Sequence, residues 1–124
     1  MRIVSRLTRL FALAFITGTF MTNIQAATLQ FDADAVGALP RSCVAGSTGG
    51  GNPRWSVEAD ASAPSKPHVL KQSGEAPFPW CVVKDTAIAD GTVEVRFKPI
   101  AGREDQAGGL VWRFKNGDNY YVAR

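Results

Sequence analysis

Few residues in this chain of 124 have the type and spacing to do chemistry. Hydrolysis of a glycosidic bond needs two carboxylates flanking it, one as acid and one as base or nucleophile. Glu94 stands alone among apolar and basic neighbours, and Glu104 with Asp105 falls in a polar connecting stretch, so no paired-carboxylate motif forms. A nucleophilic triad is equally unsupported, because His68, the sole histidine, follows a proline-rich stretch and no G-x-S-x-G turn accompanies it. The run GSTGGGN lacks the Gly-Lys-Ser/Thr ending of a phosphate loop. Asp32 and Asp34, with Asn116 and Asp118, are oxygen donors of the kind calcium takes. No dense acidic loop gathers them, however, and Asx residues at turns bond their own backbone. The sequence therefore predicts no catalytic residue, no cofactor and no metal site, with calcium the one ion its oxygens would suit.

Cys43 and Cys81 are the two cysteines. In an exported chain an even count is read as a disulfide. Closing that loop would contribute roughly 4 kcal/mol in the chain-entropy model. Free thiols are the alternative, and metal binding is a remote one, since one distant histidine completes a poor zinc set.

The ligand candidates are Arg113, Tyr120 and Arg124, in the closing stretch GGLVWRFKNGDNYYVAR. Apolar and polar residues alternate up to an Asn-Gly pair and resume beyond it, the pattern of a β-hairpin. If Asn116 and Gly117 are the two turn residues, Arg113 faces Tyr120 and Trp112 faces Tyr121. Leu110, Trp112, Phe114 and Tyr121 then share the dry face, and Val111, Arg113, Tyr120 and Val122 the wet one. A guanidinium beside an aromatic ring on a wet sheet suits a sugar, whose apolar ring face stacks while its hydroxyls take hydrogen bonds. The same pair would also serve simply to brace the sheet, and a change of loop length by one residue would exchange the faces. Trp55 and Trp80 are expected as core or loop anchors.

The elements that must position these residues read as short strands. Gly- and Pro-rich punctuation is dense from Ala27 onward, and no helical stripe is convincing. The clearest strand is TVEVRFKP, residues 92–99, with Val93, Val95 and Phe97 alternating against Thr92, Glu94, Arg96 and Lys98. LVWRF and RWSVEA repeat the alternation, the latter with Trp55, Val57 and Ala59 inward. TLQFD, HVLKQ and CVVKD are weaker candidates. Sheets wet on one side and dry on the other pack face to face, which predicts an all-β antiparallel sandwich.

Residues 1–26 carry Arg2, Arg6 and Arg9, an apolar run from Leu10 to Met21, and small residues before Ala26. That order is a secretory signal peptide, too short in its apolar part to span a membrane. The mature protein is expected to be periplasmic or extracellular, without a membrane span. Three of the fourteen Lys and Arg residues lie in this leader and none of the eleven Asp and Glu residues does, so the remainder is neutral overall. The basic pI of about 9.1 thus belongs mostly to the leader and argues for no nucleic-acid partner.

FDADAVGALP, GGGNPRW, VEVRFKP, DQAGGLVWR and DNYYVAR, in that order over residues 27–124, resemble exported bacterial members of the concanavalin A-like lectin/glucanase superfamily. The likeness is to the domain related to 3-keto-disaccharide hydrolases and to laminin-G-like jelly rolls. The resemblance implies a jelly-roll sandwich and a carbohydrate or glycan partner, such as a cell-wall polysaccharide. It also implies that residues 27–124 form the amino-terminal part of such a domain, truncated after the hairpin. The glucanases of this superfamily carry Glu, Asp and Glu at alternating positions of one strand, and that triplet does not occur here, which favours recognition over hydrolysis. A fragment of a hydrolase is the second expectation and a structural remnant without function the third.

Overall fold

The computed structural model describes residues 27–65, 67–103 and 106–124. The expected leader, residues 1–26, lies outside the described residues, as do Glu104 and Asp105. Among the described residues the fold is all-β: β1 (Cys43–Thr48), β2 (Trp55–Ala59), β3 (His68–Gln72), β4 (Phe78–Val83), β5 (Leu110–Asn116) and β6 (Asn119–Ala123). They form three two-stranded antiparallel sheets, β1 with β4, β2 with β3, and β5 with β6. No described helix is long and apolar enough to cross a membrane.

The first two sheets follow one another along the same two stretches of chain. β1 and β4 pair from Cys43↔Val83 to Thr48↔Phe78, and an Asn52↔Glu75 bridge resumes the pairing before Trp55↔Gln72 opens the β2–β3 ladder. Three residues on one side, Gly49 to Gly51, oppose two on the other, Ala76 and Pro77. The extra residue makes a bulge, and a bulge bends a ribbon. Gly49, Gly50 and Gly51 all have φ between 83° and 88°, the left-handed region that side chains resist. This is the structural use of the glycine run.

β2 is bonded on both edges. Besides β3, it meets the segment 36–38, where Gly37 N–H donates to Val57 O at 2.8 Å and Val57 N–H donates to Ala38 O at 2.8 Å. Val57 is consequently fully buried and Ser56 beside it 1% exposed. Val57 is inward as the alternation predicts, Trp55 is half-buried, and Ala59 is exposed at the strand end. His68 opens β3 and its Nδ1 lies 3.2 Å from Phe31 O, which ties the first described residues to the ribbon. TLQFD forms no strand and HVLKQ does; the CVVKD candidate is the end of β4.

Trp80, on β4, joins the ribbon to the last hairpin. Its indole lies over Gly46 on the facing strand, where a Cβ would stand 2.5 Å from Cζ2. On its other side it packs on Phe114, with ring centroids 4.7 Å apart, and on Gly117. Thr48 Oγ1–H donates to Gly117 O. A hydroxyl has one proton, so the 2.9 Å contact between Thr48 and Tyr120 is made by the Tyr120 O–H donating to Thr48 Oγ1. Trp55 and Trp80 thus both sit half-buried, and Trp80 is the anchor expected of it.

The strand expected over residues 92–99 is absent. Its alternation is genuine, but no other segment among the described residues pairs with it, and without a ladder Val93, Val95 and Phe97 remain exposed. A period-two pattern says which side chains would share a face and says nothing about whether a partner strand exists. The segment is held at its end instead. Lys98 Nζ donates to Asp60 Oδ2 at 2.7 Å and to Ser62 Oγ at 2.8 Å, while Ser62 N–H and O–H donate to Asp60 Oδ1 at 2.8 and 2.6 Å. Lys98, and then Ser62, hold the Asp60 carboxyl well below the usual carboxylate range.

The wedge generates a test by urea or thermal denaturation. Gly46→Ala forces the indole to shift and should cost about 1–3 kcal/mol. Trp80→Phe deletes Cζ2 and Cη2, the atoms that meet Gly46, so in its background Gly46→Ala should cost far less. An equal cost of Gly46→Ala in both backgrounds would refute the wedge.

Candidate functional site

The β5–β6 hairpin turns at Gly117 and Asp118, one residue later than the Asn-Gly pair suggests, because Asn116 pairs with Asn119. Asn116 Oδ1 accepts from Asp118 N–H at 3.0 Å and from Asn119 Nδ2–H at 2.8 Å, closing the turn with a side chain. Farther from the turn, Trp112 pairs with Tyr121, Val111 with Val122 and Leu110 with Ala123. These are the partners expected from the sequence, although the turn differs. The difference is absorbed between Trp112 and Asn116, where β5 carries two residues more than β6. Arg113 has φ 49°, a left-handed conformation rare for a side-chain-bearing residue. Arg113 therefore has no ladder partner, and the expected Arg113–Tyr120 pair is not made.

The bulge reverses part of the face assignment. Phe114 and Tyr120 stack at 5.7 Å and turn inward to Trp80 and Thr48, both half-buried. Trp112 and Tyr121, expected on the dry face, stack at 5.8 Å and are 44% and 57% exposed. The Arg113 guanidinium carbon lies 5.8 Å from the Tyr121 ring centroid, within cation–π range. Period two predicts Trp112 and Phe114 on one side; the irregularity that starts at Arg113, between the two, breaks that relation.

Arg113, Tyr120 and Tyr121 line one shallow depression of about 320 Å³ together with Lys115, Asp118 and Asn119. The structure thus brings two of the three expected ligand residues together. Arg124 lies beyond the far end of β6, beside Val93, Phe97 and Gly108. Tyr120 offers its ring to the depression while its hydroxyl is engaged by Thr48. Tyr121 and Asn119 were not singled out from the sequence as ligand residues, and Asp118 only as an oxygen donor for calcium. The Asx-rich turn was the available signal for the last two, whereas nothing in the alternation marks Tyr121 as exposed.

The depression gathers two cations, an amide and two phenol rings. Asp118 is the one carboxylate in the depression. Two of the other acidic residues weighed for catalysis or calcium make local contacts: Glu94 bonds Arg96 at 3.3 Å, and Asp34 Oδ1 accepts from Arg41 N–H at 3.2 Å. Among the described residues no three His, Cys, Asp or Glu side chains converge as a metal site would require.

Cys43 and Cys81 are free thiols, which corrects the expected disulfide. Cys43 stands opposite Val83 and Cys81 opposite Ala45, so the two occupy diagonal positions on one face of the β1–β4 sheet. Diagonal neighbours are farther apart than directly opposed ones, and disulfide geometry tolerates little excess distance. Cys43 is 5% exposed. Burial, then the neighbouring Cys43, push the Cys81 thiol up to about 12.

No family model, no curated protein and no solved structure matches this chain.

A raised pKa keeps Cys81 protonated at neutral pH, and only the thiolate is nucleophilic. Alkylation of Cys81 in the folded protein should be at least about tenfold slower than in denaturant at the same pH, and should accelerate only in strongly alkaline solution. Mass analysis after alkylation in denaturant without reductant should find two labels. A cross-linked Cys43–Cys81 peptide would restore the disulfide.

Proposed function

We propose that this chain is an exported carbohydrate-recognition domain whose ligand is a glycan of the cell-wall polysaccharide kind. The observation that carries the reading is the exposed Trp112–Tyr121 stack with Arg113 over it, opening on a depression edged by Asp118 and Asn119. Large aromatic side chains left in water cost burial energy, about 2 kcal/mol each, which favours a use for them outside the core. A pyranose has an apolar face to lay on such rings and a rim of hydroxyls for a guanidinium, an amide and a carboxylate. A shallow, open site suits a polymer that passes across it better than a small molecule that must be enclosed.

The sequence supports the reading from another side. The leader pattern of residues 1–26 is that of an exported protein, and the mature part has no charge excess that would suit nucleic acid. The ordered motifs resemble the concanavalin A-like lectin/glucanase superfamily. A jelly-roll sandwich is accordingly the architecture we propose, and small antiparallel sheets with exposed apolar side chains are the layers from which one is packed.

Affinity electrophoresis through gels holding a soluble β-glucan or solubilised cell-wall polysaccharide tests this. Retardation is expected for the wild-type protein. Tyr121→Ala and Arg113→Ala should each weaken it by about tenfold, the scale of one aromatic or charge-assisted contact. Both side chains are exposed, so circular dichroism should be unchanged. Migration unaffected by any polysaccharide would remove the proposal.

A further inference from the structure

Residues 92–98 pass the β5–β6 hairpin without joining it. No backbone group from Thr92 to Lys98 bonds another backbone group among the described residues, and none of these residues has positive φ. Val93, Val95 and Phe97 are about half exposed and line a mainly apolar groove of about 380 Å³, with Gly108, Leu110 and Ala123 and with two charged residues, Glu94 and Arg124. The segment is nonetheless positioned. Phe97 lies on Gly108, where a Cβ would stand 2.7 Å from the ring, and Lys98 is tied to Asp60. An already positioned segment with unused amides, carbonyls and apolar side chains is a template for strand addition.

The sequence of the segment says what strand fits it. Thr92-Val93-Glu94-Val95-Arg96-Phe97-Lys98 is complementary to itself about Val95. When two copies run antiparallel across a two-fold axis at Val95, Glu94 of each faces Arg96 of the other and Val93 of each faces Phe97. A shift by two residues one way sets Glu94 against Glu94; the other way it sets Arg96 against Arg96 and would pair Glu94 only with Lys98, which Asp60 already holds. A parallel in-register pairing sets every charge against its like. Opposite charges directly across an antiparallel pair stabilise it and like charges destabilise it. Glu94 and Arg96 are 73% and 72% exposed and already meet within one chain at 3.3 Å, so both reach the same side of the segment.

We propose that residues 92–98 pair with the same segment of a second copy, antiparallel with Val95 opposite Val95, to give an isologous two-fold dimer. Each copy then supplies the strand partner that the other lacks, and the groove of Val93, Val95 and Phe97 closes against its symmetry mate. The proposal is independent of the glycan reading, since the depression under Arg113 and Tyr121 has no residue in common with this groove.

Sedimentation equilibrium on protein purified from cells expressing the full chain provides the test. A monomer–dimer equilibrium is expected for wild type. Glu94→Arg places Arg against Arg96 twice, and Arg96→Glu places Glu against Glu94 twice; each should weaken the dimer by about tenfold or more. The double exchange Glu94→Arg with Arg96→Glu restores both pairs and should return the wild-type constant. The substituted side chains are exposed, and far-ultraviolet circular dichroism checks that each variant folds. A wild-type monomer at every concentration overturns the proposal. So does a dimer indifferent to the single changes, or one that the double exchange fails to restore.

Discussion

The Trp80 indole is the contact on which the arrangement of this molecule depends. The bent ribbon of β1 to β4 and the β5–β6 hairpin share no backbone ladder, so nothing in the hydrogen-bonded framework orients one against the other. Trp80 supplies that orientation by filling the space between Gly46 on one side and Phe114 and Gly117 on the other. A large flat ring against glycine fixes both distance and tilt, because glycine admits the approach and the ring leaves no slack. Thr48 and Tyr120 add direction through two hydrogen bonds that only one hairpin pose satisfies.

From that anchoring follows the form of the candidate site. With Phe114 and Tyr120 drawn inward, the residues beyond the bulge turn outward, and Trp112, Tyr121 and Arg113 become a surface feature. The left-handed backbone at Arg113 is the local expense of this reversal. Strain of that kind persists where surrounding contacts over-determine it, and here the Trp80 cluster and the Asn116 cap hold the hairpin on both sides of the bulge. The depression thus stands on a braced hairpin.

The same economy of framework explains the apolar surface. Among the described hydrophobic residues only Val57 and Cys43 are buried, while Val93, Val95, Phe97, Ile88 and Ile100 are exposed. A fold of two-stranded ribbons has few enclosed positions, and a contiguous apolar groove in such a fold marks a surface for association. The Lys98–Asp60 tether and the seat of Phe97 on Gly108 keep the segment near the hairpin while leaving its peptide groups unused.

The amino-acid sequence by itself determined the β class, the inward place of Val57, the last hairpin and the pairing of Trp112 with Tyr121. These depend on local alternation and turn residues, which act over a few positions and so can be read in order along the chain. It also put forward Arg113 and Tyr120, which line one depression although they are not paired across the hairpin. The tertiary structure decided the rest. Whether residues 92–98 become a strand depends on a partner, which no run of alternating residues contains. Which faces Tyr120 and Tyr121 take depends on a bulge of two residues, whose position is set by the grip of Trp80 and Thr48 and not by β5 itself. Whether Cys43 meets Cys81 directly or on a diagonal depends on the β1–β4 register, which joins two segments distant in sequence. In each case the deciding contact joins segments distant in sequence, and a side chain's own neighbours carry no record of it.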